Sequence, residues 1–355
     1  MKIKSIRSWK VNLENKRPYS ISYKTVDKVE SAFLELELDN GITGIGASNT
    51  SAYVVGESID DVMENLEANE LDWLIGRDIR EIHLINEELV NKYPDQPGTR
   101  VVADIALYDA FCKHLGISVV KYLGQKIDKM ATSVTIGIKD VAATLEEAEE
   151  FLGNGFKILK VKLGNDVDLD IERLVKLREK FGYESLIRID ANQGYSSDEL
   201  KLFFSKTKDL NIELNEQPLK SDAIDEMKGL PEEIKKTVAA DESLVTPKDA
   251  FILASEPRAS GIFNIKLMKT GGIHQARKIA TIAEQAGIEL MYGCNDESIV
   301  SITAGLHVAF SSHNTKYIDL DGSLDLAKDV VTGGFILEDG YMRPSEEPGL
   351  GLTRI

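Results

Sequence analysis

Two cysteines in 355 residues, Cys112 and Cys294, are too few for a disulfide framework or a cysteine-rich metal site. No run approaches the roughly 18 consecutive apolar residues of a membrane span. The opening stretch Met1–Arg7 has no long apolar core of the kind a secretory signal needs, so a cytoplasmic location is the default expectation. Positive charge is also short: 42 Lys and Arg stand against 59 Asp and Glu, a net charge of −17. That balance argues against nucleic acid and membrane partners, because phosphate recognition draws on an excess of Lys and Arg. It favours solubility and suits a protein that binds cations. The five histidines (His83, His114, His274, His307 and His313) show no metal-ligand spacing. A hydrophobic fraction of 43% is enough for a sizeable core, and the length implies two domains or one large domain with an attachment.

The chain divides into two unlike parts. Ser31–Leu38 alternates apolar and polar residues in period two, Asp39-Asn40-Gly41 supplies a hairpin turn, and Ile42–Ala47 returns. From about Ser58 to Leu115 the apolar spacing turns helical, with Gly116 as the stop. Strands followed by helices predict a small α+β domain over residues 1–125. Gly41-Ile42-Thr43-Gly44-Ile45-Gly46 imitates a nucleotide-binding loop, but Asn49 stands where a third glycine is needed; hairpin glycines are the better account.

Residues 126–321 read as strands alternating with helices. Eight β-like runs are legible: Ala131–Gly137, Phe156–Leu163, Leu186–Asp190, Ile212–Glu216, Thr237–Asp241, Gly261–Leu267, Glu289–Tyr292 and Tyr317–Asp321. Helix signals lie between them: a capping box at Ser196–Glu199, Thr246-Pro247 at a helix start, and Gly287 at a helix end. The strand-end charges Asp190, Glu216, Asp241 and Lys266 are 26, 25 and 25 residues apart. A βα unit of that length repeated around a ring predicts an α/β fold, a modified (β/α)7β TIM barrel with an α+β N-terminal capping domain. The last 34 residues after Asp321, rich in Gly and Pro, read as a weakly helical tail that wraps back to the N-terminal domain. Gly271-Gly272 serves the passage from strand to helix.

Side chains alternate across a strand, so Leu159, Val161 and Leu163 oppose Lys160 and Lys162, and Phe263 and Ile265 oppose Asn264 and Lys266. The outward face of a barrel packs under helices. The charged faces therefore point inward at the C-terminal mouth, where such barrels hold their active sites. Any one of these charges alone reads as a solvated edge or a helix cap. Three carboxylates on successive strand ends between lysine-bearing strands are different, because unpaired buried charge is too costly to be incidental. Asp190, Glu216 and Asp241 offer only oxygen ligands, which suits one Mg²⁺ and argues against zinc. Lysines on opposite sides of that ion allow a proton to leave one face of a carbon and return to the other.

At these residues the sequence resembles the enolase superfamily, in its muconate-lactonizing-enzyme subgroup. The matching segments are Lys160-Val161-Lys162, Asp190-Ala191-Asn192-Gln193, Asn215-Glu216-Gln217-Pro218, Ala240-Asp241-Glu242-Ser243 and Asn264-Ile265-Lys266. The site type, a Lys base beside Mg²⁺, is a known one. The resemblance implies that Lys162 and Lys266 are the acid/base pair, that Lys160 assists at the substrate carboxylate, and that Asp190, Glu216 and Asp241 bind Mg²⁺. Asp319-Leu320-Asp321-Gly322 is similar to the Asp-x-Asp signature of dipeptide epimerases, which implies that Asp319 and Asp321 hold the free ammonium of a dipeptide. Thr135, on the first barrel strand, would meet the peptide backbone. Lys24 falls where Ala-Glu epimerases carry an Arg for the glutamate side chain, which implies conversion of L-Ala-L-Glu to L-Ala-D-Glu, a cell-wall peptide.

Two positions depart from that pattern. Lys24 is a point charge where Arg would give a planar fork. Asp296 adds negative charge where an acidic dipeptide would be better served by an apolar residue. It either lines the pocket near the ammonium, favours cationic side chains, or is a solvated loop residue. The alternatives on the same scaffold are an N-succinyl amino acid racemase, an o-succinylbenzoate synthase and a cycloisomerase. The non-enzymatic alternative is an inactive binding barrel. The partner expected is a small-molecule dipeptide, with a homo-oligomer left open.

Overall fold

The computed structural model describes residues 1–21 and 24–355, and the side chains other than those of residues 17–27. The alternating N-terminal segment forms strands Ile3–Ile21, Lys24–Leu38 and Thr43–Ser48, an antiparallel sheet in that order. Leu34, Leu36 and Leu38 are fully buried. The sheet packs on helix Pro97–Leu115, whose residues are buried from Pro97 to Cys112. A helix so enclosed needs close neighbours. Only Gly41, at φ +85°, lies in the hairpin turn. Gly44 and Gly46 instead let the third strand lie directly on the helix: a Cβ would sit 2.2 Å from the Ala106 carbonyl oxygen and 1.9 Å from that of Val102. This corrects the reading of all three as hairpin glycines. Gly46→Ala is expected to destabilise the protein by about 1–3 kcal/mol through overpacking. Denaturant melting checks this, and an unchanged midpoint would contradict the close-contact account.

The barrel strands are Ser133–Ile136, Ile158–Lys162, Leu186–Asp190, Ile212–Glu216, Val238–Ala240, Ile262–Ile265, Glu289–Gly293 and Thr315–Asp319. They pair parallel in chain order. A parallel bridge between Thr132 and Ile318 brings the last strand back to the first. Each of the eight runs read from the sequence carries one of them. The helices between them include Val141–Gly153, Val167–Phe181, Ser197–Thr207, Pro247–Ala254, Ile273–Ala286 and Ile299–Ala309. Their starts follow the sequence signals: Ser196 and Glu199 form a capping box, and Thr246 caps a helix opened by Pro247. Gly287 ends Ile273–Ala286 at φ +64°.

The tail is not weakly helical. It forms short strands Val331–Gly333, Phe335–Glu338, Tyr341–Pro344 and Leu352–Arg354. Gly333, Gly334 and Gly340, at φ +89°, +82° and +78°, make the turns that a helix would not tolerate. The hairpin Phe335–Pro344 pairs with Met130–Ala131. Beyond it, the Leu350 N–H donates to Asp109 at 2.8 Å and Arg354 pairs with Glu35 at 2.7 Å. Among the described residues no helix is long and apolar enough to cross a membrane.

Candidate active site at the barrel mouth

Strand pairing sets the site. Asp190 pairs in register with Glu216 and with Lys162 on its other side, and Glu216 pairs with Ala239, two residues before Asp241. The three carboxylates therefore stand side by side, all buried. Lys160 and Lys162 lie on the second barrel strand. Lys266 follows the sixth, four strands away and so across the mouth.

Lysine ammonium groups tie the carboxylates together. Lys160 Nζ lies 2.7 Å from Glu216, 2.7 Å from Asp319 and 3.2 Å from Asp190. Lys162 Nζ lies 2.5 Å from Asp190. Lys266 Nζ is 2.8 Å from Asp241 and 3.5 Å from Glu216. Burial opposes the charge of Asp190, but Lys162 and Lys160 outweigh it and hold its pKa at about 2. Burial also opposes the charge on Asp241, where Lys266 and Lys269 likewise prevail and lower the pKa. Glu216 goes the other way: burial, reinforced by Asp190, pushes it up to about 8. Burial disfavours the ammonium forms of Lys160 and Lys266, yet the surrounding carboxylates win and raise both well above the usual lysine value. For Lys266 to act as a neutral base, a second positive charge must therefore reach the same carboxylates.

The donor set fits such a charge. Glu216 Oε2 and Asp241 Oδ1 are buried and held by lysine ammonium groups, Lys160 at 2.7 Å and Lys269 at 2.5 Å, so the set already gathers positive charge. Three adjacent carboxylates without histidine suit a hard divalent cation.

The remaining residues divide. Asp319 is turned into the barrel, accepting from Lys160 Nζ at 2.7 Å and from Ser133 Oγ at 2.6 Å. Arg188 donates to the same Ser133 oxygen at 3.3 Å, which leaves the hydroxyl proton for Asp319. Asp321 lies two residues beyond the last strand and accepts the Thr135 N–H at 2.8 Å. Burial, then Asp319 and Asp325, push its pKa up to about 7. Asp296 is half-buried in the loop after Glu289–Gly293. Burial, then Asp321, Asp325 and Glu297, raise it to about 8. The Lys24 side chain lies outside the described residues.

Three further members of this network receive no role from the sequence. Lys269 Nζ lies 2.5 Å from Asp241 Oδ1 and donates to the Asp241 carbonyl. Its signal is the i, i+3 spacing from Lys266, visible only once a helical turn is known to follow the strand. Glu242 has a buried oxygen without a hydrogen bond, and burial followed by Asp241 pushes its pKa up to about 7. Asn264, which the sequence places beside Lys266 without a role of its own, donates to Glu216 Oε1 at 2.9 Å.

Known proteins match the chain over its whole length. Residues 4–124 match the model of the mandelate racemase/muconate lactonizing enzyme N-terminal domain, and residues 143–354 that of the enolase C-terminal domain-like family. The L-Lys-D/L-Arg epimerase of Desulforapulum autotrophicum is 51% identical over 355 residues, covering all of both chains. The L-Ala-D/L-Glu epimerase of Clostridium acetobutylicum is 34% identical over 360 residues, covering 100% of this chain and 99% of that one. A crystal structure of the dipeptide epimerase from Methylococcus capsulatus, complexed with Mg and the dipeptide L-Arg-D-Lys, is 46% identical. It superposes with a TM-score of 0.98 over 99% of this chain and 100% of that one. The chain belongs to the enolase superfamily, in its mandelate racemase/muconate lactonizing enzyme branch, and is an isomerase.

Proposed function

We propose that this chain is a Mg²⁺-dependent dipeptide epimerase that prefers dipeptides with Lys and Arg side chains. The observation that carries the cationic preference is the acidic mouth: Asp321, Asp325 and Glu297 stand close enough to Asp296, and Asp319 and Asp325 close enough to Asp321, for their charges to raise the proton affinity of Asp296 and Asp321. A glutamate side chain would add like charge there, whereas Lys or Arg would neutralise it. The full-length relative at 51% identity is named for Lys and Arg, and the one named for Ala and Glu is more distant. This revises the Ala-Glu expectation and selects, for Asp296, the cationic option left open by the sequence.

Mg²⁺ held by Asp190, Glu216 and Asp241 would contribute positive charge to the substrate carboxylate, acidifying the α C–H bond. Lys162 and Lys266 would face the α-carbon from opposite sides. One, as a neutral amine, takes the α-proton; the other, as an ammonium, returns a proton to the opposite face, and the cycle inverts the centre without net change in composition. Lys160, neutralising Asp190, Glu216 and Asp319, assists at the carboxylate end. Asp321 and Asp319 serve the dipeptide ammonium, and Thr135 meets the peptide backbone; the role of Lys24 as partner of a glutamate side chain belongs to the Ala-Glu reading and is not carried over. The unit division 1–125 with 322–355 against 126–321 accompanies this reading, supported by the tail contacts to Asp109 and Glu35.

Asp296→Asn is expected to lower kcat/KM for cationic dipeptides by about tenfold or more, the loss of one charge-assisted contact. Dipeptides with neutral side chains should change little. A carboxylate is needed to hold a cation, and Asp296 ionises near pH 8. KM for cationic dipeptides should therefore fall as pH rises through that value, and this slope should vanish in Asp296→Asn. Equal losses for cationic and neutral substrates would contradict the assignment.

A further inference from the structure

We propose that Asp104 and Arg100, on the buried N-terminal helix Pro97–Leu115, are positioning residues for Lys266, whose role as a base rests on the function proposed above. Lys266 does not stand on its strand. It precedes the single turn Leu267–Thr270, which runs into Gly271, Gly272 and helix Ile273–Ala286. The strand alone therefore does not fix the height of the Lys266 backbone at the mouth.

The N-terminal helix grips the far side of that turn. Asp104, fully buried, accepts the Ile273 N–H at 2.5 Å on one oxygen and the His274 N–H at 3.1 Å on the other. It thus caps a barrel helix from the other part of the chain, satisfying donors that a helix start leaves unpaired. Arg100 is anchored by donating to the carbonyls of Tyr93 and, at 2.6 Å, Pro94. Its guanidinium packs on Gly271, where a Cβ would lie 2.6 Å from Nε. At Gly272 a Cβ would lie 2.4 Å from the Asp104 carboxyl. Both glycines have left-handed φ, +80° and +115°, so the backbone is set against the helix with no side chain between.

The same turn faces the site on its near side. Lys266 and Lys269 both pair with Asp241. Met268 Sδ receives the Asn49 N–H at 3.1 Å, and Asn49 in turn accepts from Asn295 at 3.0 Å. A short segment is therefore clamped from the N-terminal helix and delivers two lysines to one carboxylate. Displacing it by about 1 Å moves Lys266 relative to the α-carbon, an error of a size that can cost up to about 100-fold in rate. Lys162, on a different strand, does not depend on it.

The test compares Asp104→Asn with the parent in two ways. Asparagine keeps the shape but leaves one of the two N–H donors facing an amide NH₂. Exchange of the α-hydrogen with D₂O is measured separately from the two epimers of a cationic dipeptide, with Lys266→Ala identifying the epimer that Lys266 serves. The expected result is a loss of about tenfold or more for that epimer and less than about twofold for the other. Equal losses for both epimers, or none, would overturn the proposal. Backbone amide exchange read by mass spectrometry decides the clamp even if the parent exchanges neither epimer, an outcome that would remove the proposed function instead. Loss of protection reaching residues 266–270 supports the clamp, and loss confined to residues 273–274 contradicts it. Should Asp104→Asn fail to fold, Arg100→Lys carries the same two readouts.

Discussion

Lys266→Ala is expected to lower epimerisation by about 100- to 10,000-fold, the range of one positioned acid or base. Lys162→Ala should do the same. The informative readout is asymmetric. Each variant keeps one lysine, so each should retain α-hydrogen exchange from at most one epimer, and the two should retain opposite ones. The structure motivates the pairing because Lys162 and Lys266 stand four strands apart around the mouth, each against a different carboxylate, Asp190 and Asp241. Folding should survive. Asp190 keeps Lys160 at 3.2 Å when Lys162 is truncated, and Asp241 keeps Lys269 when Lys266 is truncated. Neither truncation leaves a buried carboxylate alone, which is the circumstance that destabilises strongly. Deuterium incorporation by mass spectrometry, started from each epimer, checks this. Retention of exchange from the same epimer in both variants would contradict a two-base scheme.

Glu216→Gln is expected to abolish Mg²⁺-dependent turnover while costing the fold comparatively little. Glu216 is fully buried, and burial and Asp190 already push its carboxyl up to about 8, so the protein environment itself favours the neutral form. An amide of the same shape meets that preference and still offers an oxygen to Asn264, which donates at 2.9 Å. It removes the middle charge of the three-carboxylate set, and with it much of the attraction for a hard divalent cation. Even residues outside the ligand set of a metal site commonly change affinity about 10- to 100-fold, and a ligand should exceed this. Calorimetric Mg²⁺ titration and thermal melting without Mg²⁺ separate the two effects. A variant that binds Mg²⁺ normally would exclude Glu216 as a ligand. The opposite pattern is expected for Lys160→Met, which strips a shared ammonium from Asp190, Glu216 and Asp319 and leaves buried carboxylates in excess. That variant should lose about 3–5 kcal/mol of stability.

Much of this arrangement is legible in the amino-acid sequence. The barrel is readable because each strand carries its own signal, and because a regular spacing of charged strand ends has few explanations other than a repeated βα unit. Lys160, Lys162, Asp190 and Glu216 stand out together because they lie at the ends of regular strands, where alternation predicts direction. The hidden members of the site lie where strands stop. Lys269 and Glu242 follow their strands in turns, and alternation says nothing about a turn. The tail resembles a weak helix in sequence because the pairing partners of its strands are distant: Met130–Ala131 is joined to Tyr341–Met342, some two hundred residues away. Gly44 and Gly46 look identical to turn glycines until the helix they touch is in place. Asp104 gives no signal, since its partners are backbone N–H groups 169 and 170 residues along the chain. The substrate preference is harder still. Asp296 is conspicuous in sequence, but its meaning depends on Asp321, Asp325 and Glu297 being near it, and loop positions cannot be read from periodicity.

The most direct test of the account is a panel of free and N-acylated dipeptides incubated with the enzyme and Mg²⁺ in D₂O, read for a one-dalton gain at the α-carbon. Exchange is expected to concentrate in dipeptides carrying Lys and Arg, to be weak or absent in L-Ala-L-Glu, and to vanish when a chelator removes Mg²⁺. Exchange concentrated in L-Ala-L-Glu would contradict the role given to the acidic mouth. Exchange confined to N-acylated amino acids would contradict the dipeptide reading itself.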